Sequence, residues 1–112
     1  MEKGDYVRTK DYGIHKITKF EVYDYIEYIV DDNDMFYTKI DKTNIIKSSP
    51  NIIDLIEVGD YVNGVMVTEI KDGKPFKEDY NDPYYSYYFD DIYSIITHEQ
   101  FESMEYKVEE QE

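Results

Sequence analysis

Lys3-Gly4-Asp5-Tyr6-Val7 returns later in the chain as Val58-Gly59-Asp60-Tyr61-Val62, and each copy is followed by a short run of β-type residues. A chain that doubles in this way folds as two related units. With 112 residues in all, each unit has about 50 residues, near the lower limit for an independent core. Two small units that lean on each other are therefore expected, one over residues 1–50 and one over residues 51–112.

The pattern along both copies is β-type. Asp5-Tyr6-Val7-Arg8-Thr9 alternates as a half-buried strand does, and a turn containing Gly13 leads into a returning strand over residues 14–20. The density of β-branched and aromatic residues over 21–30 predicts one further strand. Asp31-Asp32-Asn33-Asp34 reads as a solvated turn before a strand over 35–40. Ser48-Ser49-Pro50 reads as a helix start, with Ser49 as the cap and Pro50 in the first helical position. In the second copy Asn63-Gly64 is a strong signal for a type I′ hairpin, followed by a return strand over 65–70. Aligned on the repeats, Ile14 and Ile17 correspond to Val67 and Ile70, so the first hairpin has the longer turn. Residues 71–75 close that segment, 76–83 read as a charged loop and 84–89 as an aromatic strand. Thr97-His98-Glu99-Gln100 matches a capping box for a short helix, and Glu105-Tyr106-Lys107-Val108 could add a last strand.

The Gly-Asp-Tyr-Val motif, its turn and an Ile-x-x-Ile return strand resemble the opening hairpin of small SH3-like barrels, KOW-type modules among them. That resemblance implies a mainly β fold of two small SH3-like barrel units in tandem, with short helices. A second resemblance covers Ile52-Ile53-Asp54-Leu55-Ile56-Glu57-Val58-Gly59-Asp60-Tyr61-Val62-Asn63-Gly64 and Ile96-Thr97-x-Glu99-Gln100-Phe101-Glu102. These stretches resemble a group of small phage and prophage proteins of Gram-positive bacteria, which implies a phage context without an assigned chemistry.

Charge narrows the function. The chain carries 12 basic and 26 acidic residues, a net charge of −14. Residues 1–50 hold eight basic and ten acidic side chains and residues 51–112 hold four and sixteen, so −12 belongs to the second copy. Such a surface repels phosphate backbones and attracts basic partners. The basic residues of the first copy, Lys3, Arg8, Lys10, Lys16, Lys19, Lys39, Lys42 and Lys47, could form a patch, but its acids leave little drive for nucleic-acid binding. The absence of cysteine excludes disulfides and thiolate chemistry. Asp31-Asp32-Asn33-Asp34 lacks the spacing of a calcium loop. His15 and His98 each lack a second His or Cys at ligand spacing, and no serine sits in a nucleophile elbow. No cofactor or metal is expected, and no apolar run is long enough to span a bilayer.

The least ordinary stretch is the tyrosine-rich run over residues 80–93 with its flanking acids. Tyrosines interleaved with carboxylates can stack on arginine and pair with it. Glu78, Asp79, Asp82, Tyr84, Tyr85, Tyr87, Tyr88, Asp90 and Asp91 are the expected partner-binding residues. Inhibitors of host defence, anti-CRISPR proteins among them, are frequent among small acidic phage proteins, so the expectation by analogy is a non-enzymatic inhibitor. It would act in the host bacterial cytoplasm, on the basic nucleic-acid groove of a defence protein such as a Cas effector. A phage structural or assembly adaptor is the alternative.

Overall fold

The computed structural model describes residues 1–78, 86–88 and 92–104, with backbone alone for Glu78 and residues 86–88. The fold is mainly β with minor α. β1 (Tyr6–Thr9), β2 (Ile14–Lys16) and β6 (Ile45–Ser49) form one three-stranded antiparallel sheet with β1 central. β3 (Lys19–Tyr23), β4 (Ile26–Asp32) and β5 (Tyr37–Asp41) form a second with β4 central. A 3₁₀ turn, Lys42–Asn44, capped by the Asp41 side chain, links β5 to β6. The second copy repeats this plan. β7 (Tyr61–Val62) lies between β8 (Val65–Met66) and β12 (Ile95–Ile96), and β10 (Lys74–Glu78) lies between β9 (Glu69–Lys71) and β11 (Ser86–Tyr88). The strands pair as four separate three-stranded sheets and close no barrel among the described residues, so of the expected tandem SH3-like barrels the structure shows the mainly β character and not the closure.

The repeated motif is a repeated turn. Asp5 N–H donates to Glu2 O at 3.1 Å and Asp60 N–H to Glu57 O at 3.1 Å. Gly4 and Gly59 stand at φ +91° and +95°, a region in which a side chain is strained. Gly4 N–H then reaches Ile17 O at 2.8 Å, and Gly59 N–H reaches Val67 O at 2.9 Å. Ile17 N–H and Val67 N–H return to Asp5 O and Asp60 O, both at 2.8 Å. The structural counterpart of Ile17 is thus Val67, which corrects the expected match of Ile17 with Ile70. Each residue begins a small core: Val7, Ile17, Ile29 and Ile40 with Ile45, and Ile56, Val62 and Val67 with Ile92 and Ile95.

Several expectations change at the level of elements. The strand over 14–20 breaks at Ile17 and Thr18, where the chain crosses from the first sheet to the second. Residues 21–30 are two strands joined through Asp24 and Tyr25, both at positive φ. Asp31 and Asp32 belong to β4, and Asp31 is buried, accepting from Lys16 N–H and facing His15 Nδ1 at 2.9 Å. Ser49 caps no helix. It ends β6, donates from Oγ to Asp54 Oδ2 at 2.7 Å and accepts Asn51 N–H, ahead of the 3₁₀ turn Ile52–Leu55. The second return strand also splits, and residues 74–78 form a strand despite Pro75. Pro75 pairs with Ile70 one step in from the turn, a position whose N–H points away from β9, so its missing donor costs that ladder nothing.

The local signals hold. Asn63 and Gly64 stand at φ 52° and 80°, as a type I′ turn requires. Thr97 N–H donates to Gln100 Oε1 at 2.9 Å and Gln100 N–H to Thr97 Oγ1 at 3.3 Å, the expected capping box of α1 (His98–Met104). The proposed strand Glu105-Tyr106-Lys107-Val108 lies outside the described residues.

A Cβ at Gly4 would meet nothing within 4 Å, and one at Gly59 would lie 3.7 Å from His98 Cβ, an ordinary contact. Backbone strain alone then sets the cost, and Gly4→Ala and Gly59→Ala are each expected to lose about 1–2 kcal/mol in urea denaturation.

Candidate functional site

β1 is buried on both sides, and its two faces have different partners. Val7 points into the core of its own sheets, whereas Arg8, 0% exposed, points into the second copy. Arg8 Nη1 donates to Asp60 Oδ2 at 2.5 Å and to Leu55 O at 2.7 Å, and Nη2 donates to Asp60 Oδ1 at 2.7 Å and to Glu99 Oε2. Nε lies 2.6 Å from Glu57 Oε2 and 3.2 Å from Glu99 Oε1. All five N–H groups of the guanidinium therefore have acceptors. Asp60, also 0% exposed, accepts in addition from Glu57 N–H at 2.8 Å and His98 N–H at 2.9 Å. Among the described residues no buried side-chain nitrogen or oxygen lacks a partner.

Burial opposes the charge on Arg8, but the hydrogen bonds to Asp60 and Glu99 and the fields of Asp60 and Glu57 outweigh it and raise the guanidinium above its usual value. The cluster joins β1, the repeated turn before β7 and the start of α1. The first copy touches α1 at a second place. A Cβ on Gly13 would stand 2.4 Å from Gln100 Oε1, the atom that accepts in the capping box.

Glu57, His98 and Glu99 can bring ligand atoms within 4.8 Å of one another, the spacing of a metal site. Both carboxylates are already engaged by Arg8. The guanidinium holds the place a cation would take, so the group reads as the counter-charge of Arg8 rather than as a metal centre.

Four of the remaining cations of the first copy are engaged within the chain. Lys39 Nζ lies 3.1 Å from Glu21 Oε2, Lys19 Nζ 3.3 Å from Glu21 Oε1, and Lys42 Nζ 3.1 Å from Glu27 Oε2. Lys47 donates to Asp54 O at 2.8 Å. Lys39 also stands 4.5 Å from the centre of the Tyr28 ring, and Lys19 stands 5.5 Å from that of Tyr37. The hydrogen bonds from Lys39 and then Lys19 hold the Glu21 carboxyl below its usual range, and the bond to Glu21 raises Lys19.

Of the residues expected to bind a partner, Asp79, Asp82, Tyr84, Tyr85, Asp90 and Asp91 lie outside the described residues. Glu78, Tyr87 and Tyr88 are placed by backbone alone, Glu78 opposite Ser86, Tyr87 opposite Lys77 and Tyr88 opposite Phe76. Sequence reasoning missed the Arg8 cluster, although one signal pointed to it. Arg8 is the single arginine among twelve cations, and the planar fork of arginine suits a buried carboxylate pair as lysine does not. No helix among the described residues is long and apolar enough to cross a membrane. Comparison with family models, with curated proteins and with solved structures gives no match.

Arg8→Ala leaves Asp60 buried without its counter-charge and is expected to cost about 3–5 kcal/mol in urea denaturation, with Arg8→Lys recovering only part. Glu21 has a depressed folded pKa, so its stabilising contribution is present above the unfolded value and is lost as pH falls through the folded one. A carbon-detected titration is expected to place the Glu21 midpoint below that of an unfolded glutamate, and Lys39→Gln is expected to move it upward.

Proposed function

We propose that the protein is a non-catalytic inhibitor whose acidic second copy occupies the basic nucleic-acid-binding surface of a bacterial defence protein, a Cas effector being the expected target. The observation that carries this reading is the division of charge, −2 over residues 1–50 against −12 over residues 51–112. A basic channel built for phosphates draws such a surface in rapidly at low salt. Carboxylates would take the positions of phosphates, and tyrosines those of stacked bases. Two features of the described residues favour binding over chemistry. The carboxylates that cluster around Arg8 are held by it, and Lys19, Lys39 and Lys42 are each paired with a glutamate, which offsets part of the positive charge that could hold a nucleic acid directly.

The protein is expected to compete with target DNA for guide-loaded effectors in a binding assay, and the competition should weaken as salt rises. Reversing Asp90 and Asp91 to lysine is expected to weaken it at least tenfold and to flatten the salt dependence. Undiminished competition by that variant would remove the mimicry mechanism. Failure to compete for any effector in a panel would remove the reading itself.

A further inference from the structure

The two copies differ at one position in a way that folding does not account for. β3 and β4 turn through Asp24 and Tyr25 at φ 52° and 66°, and β9 and β10 turn through Asp72 and Gly73 at φ 51° and 75°. In both hairpins the flanking residues pair, Tyr23 with Ile26 and Lys71 with Lys74, so Tyr25 stands where the other copy has Gly73. A two-residue turn of this kind needs positive φ at both central positions, and glycine meets that need without strain. Tyrosine does not, because its Cβ crowds the neighbouring carbonyl. Tyr25 is also 99% exposed, so its ring gives the fold no packing in return. A strained backbone carrying a fully exposed ring contributes outside the chain rather than within it.

The surroundings of Tyr25 define a receptor. Val22 and Tyr23, 71% and 70% exposed, flank the turn. A groove of about 500 Å³ opens between the hairpin and the 3₁₀ turn Lys42–Asn44. Its apolar wall is Val22, Tyr25 and Ile26, and its polar wall includes Glu27, Asp41 and Lys42. Two carboxylates thus face one ammonium. Lys42 is bound to Glu27 through Oε2, and Asp41 uses Oδ1 for both of its bonds to Thr43, which among the described residues leaves Glu27 Oε1 and Asp41 Oδ2 for a ligand.

We propose that this groove binds an arginine side chain presented by a protein partner. The aliphatic stem would lie on Val22 and Ile26, the guanidinium would stack on the Tyr25 ring, and its N–H groups would pair with Asp41 and Glu27. A second copy of this chain does not fit, because its single arginine is Arg8, which is wholly buried. This proposal stands apart from the reading of the second copy, since the groove is formed by the first.

The test is a residue-resolved NMR titration of the full chain with a Gly-Ser peptide carrying three arginines, and with its lysine counterpart. The arginine peptide is expected to give saturating amide shifts at Val22, Tyr25, Ile26 and Thr43. Tyr25→Gly is expected to bind it about tenfold more weakly and yet to melt about 2–5 °C higher, and the lysine peptide should bind the parent protein more weakly. Shifts confined to residues 78–91, equal affinity for lysine, an unchanged affinity in Tyr25→Gly, or a lower melting temperature in that variant would each overturn the proposal. Reversal of Asp90 and Asp91, which tests the second copy, should leave these shifts in place.

Discussion

A guanidinium removed from water must find five acceptors and an opposite charge, and the arrangement of the two copies follows from how Arg8 meets that demand. Its acceptors come from the 3₁₀ turn before the repeat, from the repeat itself and from α1. None of these is near Arg8 in the chain, and satisfying them together leaves little freedom in how the copies lie. Burying an ion pair gains little stability, because desolvation of both charges offsets their attraction. Its effect is selective. A docking that displaced Asp60 from Arg8 would strand two charges without water, and such arrangements are excluded by several kcal/mol.

Duplication supplies both halves of this device from one turn. Asp5 and Asp60 occupy the same place and make the same local bond, accepting from the N–H three residues before them. Among the described residues the Asp5 carboxylate makes that bond alone, whereas Asp60 also receives Arg8 and the first amide of α1. The copies have diverged without changing the turn. The first follows Val7 with Arg8, and the second follows Val62 with Asn63 and a tighter hairpin. The same divergence gives one copy a glycine and the other a tyrosine at the tip of the β3–β4 or β9–β10 hairpin.

What could be read from the chain alone was what depends on near neighbours. The Asn63-Gly64 turn, the Thr97–Gln100 capping box and the β character of both copies are set by residues a few positions apart. The crossing at Ile17 and Thr18 was hidden because no glycine, proline or turn residue marks it, and the strand over Lys74–Glu78 was hidden by Pro75, whose lost N–H falls where β9 needs none. Asp31 looked solvated because its partner, His15, is sixteen residues away. The Arg8 cluster was least visible, since its members become neighbours only when both copies have folded. The acidic tyrosine-rich run was chosen for its composition, and most of it lies outside the described residues.

The contact between Arg8 and Glu99 spans a sequence separation of 91 residues, and that between Arg8 and Asp60 spans 52. On the ribosome the first copy is complete, strand for strand, long before Glu99 leaves the exit tunnel. Through that interval β1 has one face that cannot be finished, with a charged group that must stay in water. The first copy therefore waits half open during synthesis, and α1 is what closes it.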